Sequence, residues 1–108
     1  MKKTYLGNAF SLQMLDISQP SVVKITPLSK DDLKKELKGG FISAVGHADT
    51  AAVLADELDL QVEANRIFVS LEKGDVLLVA QLTGGRLPEG TTTLPDGFSF
   101  SYLKVELV

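Results

Sequence analysis

Val76-Leu77-Leu78-Val79-Ala80 is a run of five apolar residues with neither a helical nor an alternating period. A short β-branched run that is apolar on both faces predicts a strand covered above and below. The remaining chain must therefore supply two covering layers, and 108 residues at 44% hydrophobic suffice for that in one domain, 1–108. Upstream, Arg66 to Leu71 shows a short alternation and Glu72-Lys73-Gly74-Asp75 is turn-like, which predicts a hairpin whose second strand is the central one.

Around that strand the other elements follow from local chemistry. Thr4-Tyr5-Leu6-Gly7-Asn8 reads as a short opening strand, and Ala9 to Leu15 carries Phe10, Met14 and Leu15 at spacings suited to one or two helical turns. Ser21 to Thr26 is β-branched and fenced by Pro20 and Pro27, neither of which can donate to a ladder. Ser29 is placed as an N-cap with Asp32 at the third helical position, Leu28 and Leu33 have staple spacing, and Gly39-Gly40 stops that helix. Ala51, Leu54, Ala55 and Leu58 recur at helical spacing and predict a second helix from about Asp49 to Leu58, with His47 at its N-terminus. Tyr102 to Leu107 alternates with period two and reads as a last, half-buried strand near an edge. The fold class expected is α/β in the α+β sense: a mixed, mostly antiparallel sheet flanked by short helices.

Composition then narrows the chemistry. The chain has no cysteine and one histidine, so disulfides, thiolate nucleophiles and a multi-histidine metal site within one chain are excluded by counting. No metal and no cofactor are expected. Eleven basic against fourteen acidic residues give a net charge of −3, which argues against a binder of long nucleic acid. Nine of the basic residues are lysines, and only Arg66 and Arg86 carry the planar fork suited to phosphate. The opening residues lack a signal peptide's apolar stretch, and no apolar run approaches the ~20 residues of a membrane span, so a cytoplasmic protein with no membrane partner is expected.

Three features point toward a ligand. His47 is the sole imidazole, follows Gly46, and precedes a helix whose first amides favour an anion. Residues 83–97 are too rich in Gly and Pro for a regular element, hold Arg86 and Glu89, and read as a ligand-covering loop. Asn8, Ser11, Gln13 and Gln81 lie at or beyond strand ends, where neutral polar groups can read base edges or ribose hydroxyls. Taken singly, each of these also fits a cap or turn residue. No P-loop or dinucleotide fingerprint occurs.

In order and spacing, Tyr5-Leu6-Gly7-Asn8-Ala9-Phe10-Ser11, Gly46-His47-Ala48-Asp49-Thr50, Asn65-Arg66, Leu71-Glu72-Lys73, Gln81 and Arg86-Leu87-Pro88-Glu89-Gly90 resemble the viral type III anti-CRISPR ring nucleases. The resemblance covers nearly the whole chain. It implies a homodimer that binds cyclic tetra-adenylate, the second messenger of type III CRISPR complexes, and cuts it without metal into linear di-adenylates ending in 2′,3′-cyclic phosphate. By that resemblance His47 is the general acid, Glu89 orients or tunes it, Arg66 and Arg86 hold phosphates, and Asn8, Ser11, Gln13 and Gln81 contact nucleotides. The double glycine before Arg86 makes that loop slightly longer than in the viral members, and Gln13 stands in place of a shorter amide. Two other readings remain: a sponge that sequesters the ring without cutting it, and a small structural or regulatory protein of a mobile element.

Overall fold

The computed structural model describes residues 2–108. In chain order they form β1 (Thr4–Gly7), a 3-10 turn (Leu12–Met14), β2 (Val23–Leu28), α1 (Lys30–Leu37), β3 (Ile42–Ser43), α2 (Ala48–Leu58), β4 (Val76–Thr83) and β5 (Ser99–Leu107). The strands make one mixed sheet in the order β2-β5-β4-β1-β3. β1 runs parallel to both β3 and β4, whereas β5 runs antiparallel to β4 and β2. All three parallel strands therefore end at the same edge of the sheet.

β4 is the central strand, and its side chains divide between two cores. Val76, Leu78 and Ala80 pack with Leu33 and Leu37 of α1 and with Ala51, Leu54 and Leu58 of α2. Leu77 and Val79 face the other way, with Tyr5, Val69, Leu71 and Val105, and are overlaid by Phe10, Met14 and Leu15. Leu54 and Leu58 are completely buried, and each contributes about 2–3 kcal/mol of hydrophobic stabilisation.

The helix signals act as their chemistry requires. Ser29 Oγ accepts from the Asp32 amide at 3.1 Å, and Leu28 packs in the same cluster as Leu33, completing cap and staple. Beyond α1, Gly40 takes φ +99°, a conformation open to glycine and strained for other residues. α2 ends instead on Asp59 in the left-handed region at φ 53°, where a short polar side chain is tolerated.

Two expectations are corrected. Arg66 to Leu71 forms no strand, so the predicted hairpin is absent. A strand has two hydrogen-bonding edges, and those of β4 are taken by β1 and β5. The alternating segment lies across the sheet face instead, burying Val69 and Leu71 while Leu71 N donates to Met14 O at 2.8 Å. β5 is half-buried and lies next to the edge strand β2, near an edge as its alternation implies. Pro27 lies within β2 rather than beyond it, which an edge position permits because the missing N–H can face away from the ladder. No helix among the described residues is long and apolar enough to cross a membrane.

Candidate ligand-binding site

The site lies where β1, β3 and β4 end and α2 begins, outside the carboxyl ends of parallel strands, the edge at which open sheets of this kind leave a crevice. His47 is the N-cap of α2: its backbone is extended and its Nδ1 accepts from the Asp49 amide at 3.3 Å. That contact specifies the tautomer, because a nitrogen that accepts carries no hydrogen. In this contact neutral His47 carries its hydrogen on Nε2 and can donate a hydrogen bond from there to a ligand.

Arg66 reaches this point through Asn65. The Asn65 amide donates to Val45 O at 2.7 Å and its side chain donates to Ser43 O at 2.6 Å. Buried Ser43 in turn donates its hydroxyl to Glu63 O at 2.6 Å. This clamp lays the Arg66 side chain across Gly46: a Cβ placed there would stand 3.6 Å from Arg66 Cγ and Nε. The guanidinium stem is thus next to the residue that precedes His47.

Arg86 and Glu89 arrive on the loop joining β4 to β5. Gly84 closes the base of that loop, with φ +122° and so little room that a Cβ would meet Gly97 O at 2.7 Å and Phe98 Cα at 2.9 Å. At the tip, Thr91 N donates to Pro88 O at 3.2 Å and Gly90 has φ +82°, as in a type II turn with Glu89 at its corner. Gly90 N donates to Asp49 Oδ2 at 3.1 Å, which docks the tip onto the first turn of α2.

Two adjoining cavities result. One of about 530 Å³ is lined by His47, Asp49, Arg86, Leu87 and Glu89. A second of about 270 Å³ adds Asn8, Thr50 and Leu82 to His47, Arg86 and Leu87. The structure thus brings together His47, Arg86, Glu89 and Asn8, with Arg66 beside them. Ser11, Gln13 and Gln81 line neither cavity. Ser11 Oγ caps the 3-10 turn by accepting from Gln13 N at 3.2 Å, and Gln81 shares the β4 face of Leu77 and Val79, opposite α2. Sequence reasoning assigned no role to Asp49 and Thr50; their positions in the first turn of α2 were the available signal.

The arrangement can receive a phosphate through the Arg86 guanidinium, the His47 Nε2–H and the start of α2 against a partly apolar wall, while Arg66, which lines neither cavity, lies alongside at Gly46. Asp49 and Glu89 offset the arginine charges, so affinity depends on directed hydrogen bonds more than on net field. A third cavity of about 370 Å³, lined by Gly40, Phe41, Ser43, Gln61 and Glu63, has no basic side chain to receive an anion.

Fold and site together define a small α+β protein with a histidine–arginine pocket at the strand ends. A family model described as STIV B116-like matches residues 4–97. The chain belongs to the STIV B116-like family, a family of viral proteins. It is 40% identical over 87 residues to uncharacterized protein 26 of Sulfolobus islandicus filamentous virus (isolate Iceland/Hveragerdi), covering 80% of this chain and 72% of that protein. Its structure resembles B116 of Sulfolobus turreted icosahedral virus with TM-score 0.82 and 30% identity, over 96% of this chain and 98% of that one.

Proposed function

We propose that this protein is a metal-independent ring nuclease that cuts cyclic tetra-adenylate and so silences type III CRISPR signalling in the cytoplasm of an infected cell. The observation that carries this reading is the convergence of one imidazole, its Nδ1 tied to the α2 cap, with Arg86 and Glu89 in a single cavity and Arg66 alongside.

In the proposed step a ribose 2′-oxygen attacks the adjacent phosphorus and the 5′-oxygen leaves opposite it. His47, as the imidazolium formed by taking up a proton from solvent, delivers its Nε2 proton to that leaving oxygen and returns to the neutral form that caps α2; the 2′-hydroxyl proton is released to solvent, so no net proton is consumed. The bond made closes the 2′,3′-cyclic phosphate, the bond broken frees a 5′-hydroxyl, and no water is consumed. Two such cuts open the ring into two di-adenylates. Arg66 and Arg86 hold phosphate oxygens as charge moves onto them, Glu89 orients the imidazole, and Asn8 contacts a nucleotide.

A ring of four nucleotides exceeds what a cavity of about 530 Å³ holds, which supports a ligand shared by two copies of the chain. In a two-fold dimer the two arginines per chain become four, matching four phosphates. Ser11, Gln13 and Gln81 would reach the ring only where it extends past the strand ends.

The test is incubation of the purified protein with cyclic tetra-adenylate in EDTA, with products followed by chromatography. Linear di-adenylates ending in 2′,3′-cyclic phosphate are expected, with more than one turnover per dimer. A ring that binds but stays intact makes the protein a sponge, and absence of binding leaves a structural or regulatory role.

A further inference from the structure

We infer that Asp49 is the positioning residue that latches the 84–98 loop over the site and holds Glu89 against His47. The inference rests on the ring nuclease reading for its catalytic consequence, although the latch itself is a property of the free protein.

The loop's other polar contacts are internal or lie at its base. Thr91 bonds back to Pro88 through both its amide and its hydroxyl, and Phe98 N donates to Pro95 O at 3.2 Å. Among the described residues, the bond from Gly90 N to Asp49 Oδ2 is the one hydrogen bond joining the loop tip to the rest of the molecule. It falls one residue after Glu89, and Asp49 is itself the residue whose amide caps onto His47 Nδ1. One residue therefore touches both halves of the pair: its N–H orients the imidazole, and its carboxylate orients the turn that carries Glu89.

This geometry gives the Asp49 carboxylate a positioning role in the cavity it shares with His47, Arg86 and Glu89. At the second position of α2 a carboxylate is favoured by the helix dipole, and it accepts an amide more strongly than a neutral group does. Gly90 contributes the positive φ that lets the turn form. Without the latch, residues 85–97 are tethered only at their base, and Glu89 loses its fixed relation to His47.

The test combines three single variants, one double variant and two readouts. Asp49→Ala removes the acceptor, whereas Asp49→Asn keeps one oxygen in place. In the free protein, amide hydrogen exchange over residues 86–91 is expected to accelerate about tenfold in Asp49→Ala and to return most of the way in Asp49→Asn. Single-turnover cleavage of cyclic tetra-adenylate is expected to fall about 10–100-fold in Asp49→Ala, with most of the loss restored in Asp49→Asn. In a Glu89→Ala background, adding Asp49→Ala should cost little more, because both changes remove the same arrangement. Unchanged loop exchange in Asp49→Ala overturns the latch, as do equal losses of rate in the Ala and Asn variants or additive losses with Glu89→Ala. If the unmodified protein does not cut the ring, the proposed activity falls, and the exchange measurement still decides the latch.

Discussion

His47 is both helix cap and proposed acid, and these roles can be separated by substitution. Replacing it with alanine removes the Nδ1 acceptor for the Asp49 amide as well as the Nε2 proton. Loss of an N-cap acceptor costs ~0.5–2 kcal/mol, and at 3.3 Å the bond is long, which places this cap near ~0.5–1 kcal/mol. For a domain of 108 residues that is a fall in Tm of about 2–6 °C. Loss of a general acid lowers the rate by ~10²–10⁴-fold. Asparagine supplies an oxygen that caps at least as well as imidazole but has no proton to deliver at neutral pH. His47→Asn should therefore keep the parent Tm within about 1 °C while losing as much single-turnover rate as His47→Ala. Ring binding should stay within about tenfold in both. Thermal melts beside rapid-quench cleavage of cyclic tetra-adenylate measure the two effects on the same samples. Parent-like cleavage by His47→Asn would refute the acid role, and a melt for it as low as that of the alanine variant would refute the cap.

Other perturbations test the scaffold. Gly84→Ala places a methyl against backbone atoms of Gly97 and Phe98 at a φ of +122°, so calorimetry should show a loss of about 2–4 kcal/mol, larger than for Gly85→Ala, whose Cβ meets nothing. Buried Asp75 accepts from the amides of Lys3 and Glu72 at 2.9 and 3.0 Å; Asp75→Ala should cost about 2–3 kcal/mol in urea titration, and Asp75→Asn less. Burial holds the Tyr102 phenol above its ordinary value of 10.0, partly offset by the Lys30 charge, and the hydrogen bond to Glu57 holds the Lys30 ammonium above 10.5. Both groups bind their protons more tightly in the folded state, so their contribution is complete below about pH 10 and is lost as pH rises through the folded values. Urea melts from about pH 8 to about pH 11 should show that decline, and Tyr102→Phe should make it shallower.

Much of this protein was legible locally. The apolar run at 76–80, the Ser29 cap, the leucine spacing of α2 and His47 at its start are properties of short segments, and short-range sterics and hydrogen bonding decide them. The arginines could be singled out by chemistry, as the two guanidinium groups among eleven basic residues.

Tertiary structure decided what period and composition leave open. The alternation in 66–71 specifies which side chains are buried but not whether the backbone pairs, and with both edges of β4 occupied the segment became a cover. Pairing of β1 with β4 joins residues 72 positions apart, and that parallel choice puts His47 at the same sheet edge as the loop carrying Arg86. The bond from Gly90 to Asp49 spans 41 positions and leaves no periodic trace. Elements arise from interactions within a few residues, whereas the site arises from the sheet order, which depends on how all the apolar faces are covered at once.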